Sequence, residues 1–246
     1  MSDSEPRVAI VTGGSRGIGR SVVDALAADG LAVVVNYVSN EAEAAAAVAA
    51  VDDRGGQALA VAADVGDEHA VAELFDVAER IFGGVDVVVN AAGVMSLAPL
   101  VELDLAVLDR MHRTNIRGTF VVCQQAARRV RAGGAIVNFS SSVLGRVLPT
   151  YTAYAASKAA VEAMTFILAH ELRGRDVTVN AVAPGPTATD MFLEGKDEET
   201  IGRMAAAVPF ERLGTPEDIA PVVAFLASPA GHWVNGQTIR ANGGII

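Results

Sequence analysis

The chain has 246 residues, of which 51% are apolar, and its formal net charge is −10. This length suits an α/β domain with a sizeable core. The acidic balance argues against nucleic acid as the main partner, because phosphate binding needs a basic face. No apolar run reaches the roughly 20 residues of a membrane helix. The polar N-terminus and the single cysteine, Cys123, favour a cytoplasmic protein without disulfides.

Short β-branched runs alternate with longer helical patterns. The predicted strands are Val8–Val11, Ala32–Val35, Ala58–Val61, Val85–Val89, Ala135–Phe139 and Val177–Val182. The predicted helices are Gly19–Ala28, Glu41–Val51, Glu68–Ile81, Leu105–Arg131 and Tyr154–Leu172. The strands are apolar throughout, as expected when helices cover both faces of a parallel sheet. We therefore predict one doubly wound, Rossmann-type α/β domain over residues 1–246, with a parallel sheet of about seven strands.

Two late segments depart from this alternation. Pro184–Pro209 is rich in Pro, Gly and charge, and its part from 189 to 210 is predicted to be a mobile loop on the substrate side. Thr215–Asp218 predicts a helix start, with Thr as the cap, Pro at the first position and two acids. Gly236–Ile246 is expected to supply the last strand.

A glycine-rich turn, Thr12–Gly19, follows the first strand and opens the first helix. Glycines allow a tight turn and close approach to a pyrophosphate, and a helix N-terminus offers free N–H groups to the anion. An ordinary βα loop is the alternative, but this position favours dinucleotide binding. The residues predicted to contact the dinucleotide here are Gly13, Ser15, Arg16, Gly17, Ile18 and Gly19.

The end of the second strand indicates which dinucleotide is bound. A carboxylate there would bind a ribose 2′-hydroxyl and repel a 2′-phosphate. This chain has Asn36 and Tyr37 instead, with no acid before Glu41, while Arg16 supplies a positive charge. We predict a preference for NADP(H), with NAD(H) as the alternative.

Further cofactor contacts are predicted where later strands end, because ligands bind at the carboxyl edge of such sheets. Asp64 can accept a hydrogen bond from the adenine amino group, and the loop after the sixth strand is stiffened by prolines. Plain turn chemistry is the alternative. The residues concerned are Asp64, Val65, Asn90, Ala91, Ala92, Gly93, Pro184, Gly185, Thr187 and Thr189.

Tyr154 and Lys158 are four residues apart in a predicted helix, which places them on one face. A nearby ammonium lowers the pKa of a phenol, so the pair can serve as an acid/base for a carbonyl. Ser141, just past the fifth strand, can hold the carbonyl oxygen, although a capping role is the alternative. Asn115 lies in mid-helix, where Asn is unfavourable unless it caps, binds water or faces a site. His69, His112, His170 and His232 lack metal-ligand spacing, so no metal site is predicted.

Together these motifs resemble the short-chain dehydrogenase/reductase family over nearly the whole chain. The residues that carry the resemblance are Thr12, Gly13, Gly17 and Gly19; Asn90, Ala91 and Gly93; Asn115, Ser141, Tyr154 and Lys158; and Pro184, Gly185 and Thr189. The resemblance implies that Tyr154 transfers the proton, Lys158 also binds the nicotinamide ribose, Ser141 positions the carbonyl and Asn115 holds a water. It further implies hydride transfer from the nicotinamide and a homotetramer packed through the long helices.

Among relatives the chain looks similar to bacterial 3-oxoacyl-[acyl-carrier-protein] reductases. Arg212–Gly214 and the C-terminal Asn235–Gly244 carry this likeness, and Arg131 and Arg175 lie where such enzymes meet the acidic carrier protein. Surface arginines are ordinary, so a small ketone without a carrier stays open. Two further functions stay open as well: an NAD(P)-dependent alcohol, sugar or steroid dehydrogenase, and a sensor that binds dinucleotide without turnover.

The substrate is expected to contact three segments: Val94–Leu100, Val143–Thr150 and Met191–Val208. They are largely apolar, with few charges near the predicted catalytic residues. We therefore expect an apolar or acyl-chain ketone rather than a bare sugar or keto acid.

Overall fold

A parallel sheet forms the centre of the computed structural model, which describes residues 6–246. Its seven strands lie in the order β3-β2-β1-β4-β5-β6-β7. Their bounds are β1 Val8–Thr12, β2 Ala32–Tyr37, β3 Gln57–Ala62, β4 Val85–Asn90, β5 Val130–Phe139, β6 Val177–Pro184 and β7 Thr238–Ala241. The predicted parallel, doubly wound sheet is confirmed, and the last strand lies within the predicted Gly236–Ile246.

Helices cover both faces of the sheet. Their bounds are α1 Gly17–Ala28, α2 Glu41–Asp52, α3 Glu68–Phe82, α4 Leu105–His112, α5 Thr119–Arg129, α6 Thr152–Glu171, α7 Asp190–Leu193, α8 Glu198–Ala206 and α9 Pro216–Ala227. Side chains of α3, α5 and α6 pack against one face of the sheet, and those of α1, α2 and α9 against the other. Burial of both faces explains why the central strands β1 and β2 are apolar almost to their ends.

The predicted continuous helix Leu105–Arg131 is wrong in two places. Arg113–Gly118 form a π-helical turn between α4 and α5, and Val130 already belongs to β5. The π turn adds a residue that a period of 3.6 does not reveal. The early start of β5 follows from Val130 pairing with Val85 ahead of a register shift, where Gly133 adopts a φ of +80°.

The segment 189–210 contains two short helices, α7 and α8, so it is more ordered in secondary structure than a loop. Its mobility stays a prediction. The predicted start of α9 is confirmed, since the Asp218 carboxylate accepts a 2.7 Å hydrogen bond from the Thr215 N–H. Within residues 6–246, no helix is both long and apolar enough to cross a membrane.

Candidate active site

The strand order reverses between the neighbouring strands β1 and β4. The chain therefore leaves these two strands in opposite directions, and a crevice opens at their carboxyl ends. A cleft of about 630 Å³ occupies this position. It is lined by the predicted cofactor and catalytic residues except Asn90 and Asn115, which are buried. A cleft at this place can hold an extended dinucleotide together with a small substrate.

The glycine turn forms the floor of one end of the cleft. Gly13 has a φ of +63°, and a Cβ there would lie 2.9 Å from the Cα of Ala92. A Cβ on Gly19 would lie 2.2 Å from the Gly13 carbonyl oxygen. Larger residues at these two positions would therefore displace backbone. The turn leads directly into the N-terminus of α1, whose first N–H groups lack partners within the helix.

The end of β2 forms the adjoining wall. The buried Asn36 side chain donates hydrogen bonds to the carbonyls of Ala63 (2.9 Å) and Val61 (3.3 Å), so it ties β2 to β3. Arg16 is exposed, and no carboxylate within residues 6–246 pairs with it. The sequence did not single out four other residues that line this end, namely Val38, Ser39, Asn40 and Glu43.

Asp64 lies at the cleft edge, but its carboxylate already has partners. One oxygen pairs with Arg113 at 2.6 Å, and the other accepts a 2.8 Å hydrogen bond from the Gly66 N–H. Val65 beside it is buried against Gly118, where a Cβ would lie 2.6 Å from the valine side chain. The predicted adenine contact of Asp64 would therefore have to share an acceptor that Arg113 already uses.

The end of β4 supports the middle of the cleft. The side-chain amide of Asn90 donates a buried 2.7 Å hydrogen bond to Asn138 Oδ1, which links β4 to β5. The Ala92 N–H donates to the Thr12 hydroxyl at 3.1 Å, and a Cβ on Gly93 would lie 3.8 Å from Lys158 Nζ. Of this predicted group, Ala91, Ala92 and Gly93 therefore reach the cleft and Asn90 braces them.

Tyr154 and Lys158 lie one turn apart on α6, as predicted, with Lys158 Nζ 5.7 Å from the centre of the tyrosine ring. Lys158 is buried and donates a 2.8 Å hydrogen bond to the Phe139 carbonyl. Burial lowers the pKa of Lys158 to about 8. The cleft end therefore holds an ammonium that loses its proton more easily than a surface lysine.

The expected lowering of the Tyr154 pKa is wrong for this structure. Tyr154 is partly accessible from the cleft, yet the protein around its phenol raises the pKa of Tyr154 to about 12, because burial disfavours the charged phenolate. A hydrogen bond with Ser141 lowers the pKa but does not offset burial, and the neighbouring Tyr151 raises it further. At neutral pH the phenol keeps its proton.

Ser141 is placed by the end of β5 and the short helical turn that follows. Its hydroxyl accepts a 3.3 Å hydrogen bond from the Val143 N–H and also bonds the phenol of Tyr154. Ser141 therefore caps the short turn and also lines the cleft, so both alternatives predicted from the sequence describe it. The flanking Ser140 and Ser142, to which the sequence pattern gave no role, also line the cleft.

Asn115 lies in the π turn, and its side chain is buried beside Gly93, where a Cβ would lie 3.5 Å from Asn115 Oδ1. Its side-chain Nδ2 donates to the Val94 carbonyl (2.9 Å) and to the Ser157 hydroxyl (3.1 Å), while its side-chain Oδ1 accepts from the Val94 N–H (2.9 Å). The Ser157 hydroxyl in turn donates to the Tyr154 carbonyl at 2.7 Å. The buried Asn115 thus connects the segment after β4 to the helix that carries Tyr154.

The segment after β6 forms the remaining wall of the cleft. A Cβ on Gly185 would lie 2.8 Å from the Asn242 Cα, and the buried Thr187 hydroxyl donates to the Gly185 carbonyl at 3.0 Å. The Thr189 hydroxyl caps α7 at the Phe192 N–H, and its methyl group lies over Gly17. Pro184, Gly185, Thr187 and Thr189 all line the cleft, as predicted.

The chain matches known proteins over nearly its whole length. Residues 13–246 match a family model described as Enoyl-(Acyl carrier protein) reductase. A short-chain type dehydrogenase/reductase of Picea abies is 48% identical, and the match covers 97% of this chain and 92% of that protein. The NADPH-dependent aldehyde reductase 2 (chloroplastic) of Arabidopsis thaliana is 43% identical, with 98% and 94% covered.

Solved structures agree. A short-chain dehydrogenase from Burkholderia cenocepacia J2315, solved in complex with NADP, superposes with a TM-score of 0.92 at 38% identity, covering 98% of both chains. The chain belongs to the short-chain dehydrogenase/reductase family, and it is an NADP(H)-dependent oxidoreductase acting on alcohol and carbonyl groups. The cleft fits this cofactor, because the glycine floor leaves room for a pyrophosphate and Arg16 is unpaired within the described residues.

Proposed function

We propose that this protein reduces the carbonyl group of a small ketone or aldehyde to an alcohol, with Tyr154 as proton donor. The observation that carries the proposal is that Tyr154, Ser141 and Lys158 meet at one end of the cleft, beside the predicted cofactor contacts Ala92 and Gly93. When bound, NADP(H) supplies the hydride that reduces the carbonyl carbon.

The protonation states of the residues suit reduction. A carbonyl that gains a hydride becomes an alkoxide and needs a proton at its oxygen. Tyr154 keeps its proton at neutral pH because burial raises its pKa to about 12. The Ser141 hydroxyl is placed to hold the same oxygen, and the Lys158 ammonium adds positive charge where negative charge develops.

Asn115 has a positioning role in this proposal. Its side-chain amide donates hydrogen bonds to Val94 and Ser157, and the Ser157 hydroxyl donates to the carbonyl of Tyr154. Asn115 therefore fixes α6 relative to the segment after β4. The water that the family resemblance assigns to Asn115 stays a prediction.

The substrate proposed here is a small molecule rather than a carrier-bound thioester. The name of the Arabidopsis relative, an aldehyde reductase, supports this choice. Arg131 pairs with Asp86, with Nε and the carboxylate 2.9 Å apart, and Arg175 donates to the Ala127 carbonyl at 3.0 Å. Because these arginines already have internal partners, they give the predicted carrier-protein contact little support, and 3-oxoacyl thioesters are the second candidate class.

The predicted homotetramer is part of the proposal. Bulky apolar side chains stand exposed on α4, α5 and α6, where a second copy would cover them; they are Leu105, Phe120, Phe166 and Ile167. Light scattering after size exclusion would measure the mass directly, and a monomer at micromolar concentration would contradict this part.

The decisive experiment is a screen of NADPH oxidation against aldehydes, cyclic ketones, quinones, keto-sugars and acetoacetyl thioesters. We expect turnover of apolar aldehydes or ketones, with NADPH preferred to NADH. Tight NADPH binding without turnover of any carbonyl would instead favour a dinucleotide sensor. Fast turnover only of carrier-bound thioesters would favour the second candidate.

A further inference from the structure

The substrate end of the cleft has mostly apolar walls. They are formed by Val94 and Met95 after β4, by Leu148 and Tyr151 before α6, and by Met191, Phe192 and Met204 of α7 and α8. Methionines and aromatic rings accommodate flat or irregular apolar groups. One residue of this wall differs in kind, because Arg146 is partly buried and lines the same cleft.

Arg146 lies close to the catalytic end. It follows the short helical turn that Ser141 caps, and its N–H donates to the Val143 carbonyl at 3.1 Å. Its charge acts on the Tyr151 hydroxyl, whose pKa it lowers against the effect of burial. The Tyr151 ring in turn meets the Tyr154 ring edge to face, with centres 6.4 Å apart.

The charge of Arg146 is not compensated by the protein. Within residues 6–246 no carboxylate pairs with it, whereas Arg113 at the cleft edge is paired with Asp64. The other two acids that line the cleft lie toward the cofactor end: Glu43 is on α2, and Asp190 follows Thr189, whose methyl group lies over Gly17. A partly buried guanidinium without a counter-charge is a favourable partner for a carboxylate or phenolate.

We propose that Arg146 forms an anion subsite, so that the preferred substrates are aromatic or apolar carbonyl compounds that carry a carboxylate or another oxyanion. This inference rests on the proposed carbonyl reduction and specifies its substrate class. The apolar walls bind the body of such a molecule, Tyr154 and Ser141 engage its carbonyl, and Arg146 binds the anionic group from the side of Tyr151. Such a substrate supplies the counter-charge that the protein lacks.

The test compares 2-, 3- and 4-carboxybenzaldehyde with their methyl esters, which share the ring and the aldehyde but lack the charge. For the isomer that fits, we expect kcat/KM for the acid to exceed that for the ester, mainly through KM. Arg146→Met should reduce this acid-to-ester ratio by about ten-fold or more, as expected for a lost charge-assisted hydrogen bond. Arg146→Lys should restore part of it.

The ratio cancels damage to the catalytic groups, because both substrates use the same carbonyl chemistry. Arg80→Met is the matched control, since Arg80 is exposed on α3 and does not line the cleft; it should leave both kcat/KM values unchanged. Esters preferred for all three isomers, or a preference for acids that survives Arg146→Met, would overturn the anion subsite while leaving carbonyl reduction intact.

If neither acids nor esters are reduced and the wider screen of NADPH oxidation shows no turnover either, the proposed function fails. Binding measurements then test the anion subsite by themselves. Isothermal titration of the NADP-loaded protein with the three hydroxymethylbenzoates and their methyl esters measures the same charge preference without turnover. Tighter binding of an acid that depends on Arg146 supports the subsite. Equal binding of acid and ester contradicts it.

Discussion

The two ends of the cleft are built in different ways. The cofactor end consists of backbone in close contact, where Gly13, Gly19 and Gly185 sit against other main-chain atoms with no space for a side chain. The substrate end consists of side chains, among them Met95, Leu148 and Phe192, on short segments outside the sheet. A surface made of main chain suits a ligand that stays the same, such as the cofactor. A wall of side chains can be altered by substitution, so the substrate specificity can change without altering the fold.

Tyr154 lies where these ends meet, and its loss should have the largest effect. Tyr154→Phe keeps the ring but removes the proton donor, so we expect kcat to fall by about 10³-fold, within the range of general acid catalysis. NADPH affinity, measured by fluorescence titration, should change little. Tyr151→Phe is the matched control and should retain most of kcat. Turnover by Tyr154→Phe near the wild-type rate would contradict the proposed mechanism.

The buried Lys158 predicts a pH-dependent stability of the protein without cofactor. Its pKa is about 8 in the folded state and near 10.5 when unfolded, so between these values the unfolded chain binds the extra proton. Stability from this group therefore rises with pH from 8 to 10.5, by up to about 3 kcal/mol.

Lys158→Met removes this titration and isolates it from other groups. Urea unfolding at several pH values should show the advantage of the variant over wild type shrinking as pH rises from 8 to 10.5. A difference independent of pH would mean that Lys158 keeps an ordinary pKa. The variant should also lack activity at every pH, because the ammonium near the carbonyl oxygen is gone.

Local sequence patterns correctly predicted the features that depend on residues close together in the chain. The alternating strands and helices, the glycine turn and the Tyr154–Lys158 spacing each depend on neighbouring residues, and the structure places them as expected. The π turn around Asn115 was not predicted, because the apolar period is averaged over several turns and a single added residue does not stand out in it. The Asp64–Arg113 pair was missed because its partners are 49 residues apart and meet only in the folded chain.

The glycine floor allows a direct test of the main-chain end. Gly19→Ala places a methyl group against the Gly13 carbonyl oxygen, so the turn must shift. Overpacking of this kind costs about 1–3 kcal/mol, and we expect NADPH affinity to fall by about 10–100-fold. Gly202→Ala is the control, because a Cβ there meets no atom within 4 Å in α8. Unchanged NADPH affinity in Gly19→Ala would mean that the floor does not support the cofactor.

Arg16 is the exception at the cofactor end, because its predicted contact with the cofactor is made by its side chain. Asn36 is buried and committed to β3, so Arg16 is the cation we expect to meet the 2′-phosphate. Arg16→Ala should weaken NADPH by about ten-fold and leave NADH nearly unchanged, since only NADPH carries that phosphate. Titration with both cofactors, at two salt concentrations, measures the difference and its expected loss at high salt. Equal weakening of both would place Arg16 elsewhere on the cofactor, and cofactor preference would then depend on the wall of Tyr37, Ser39 and Asn40.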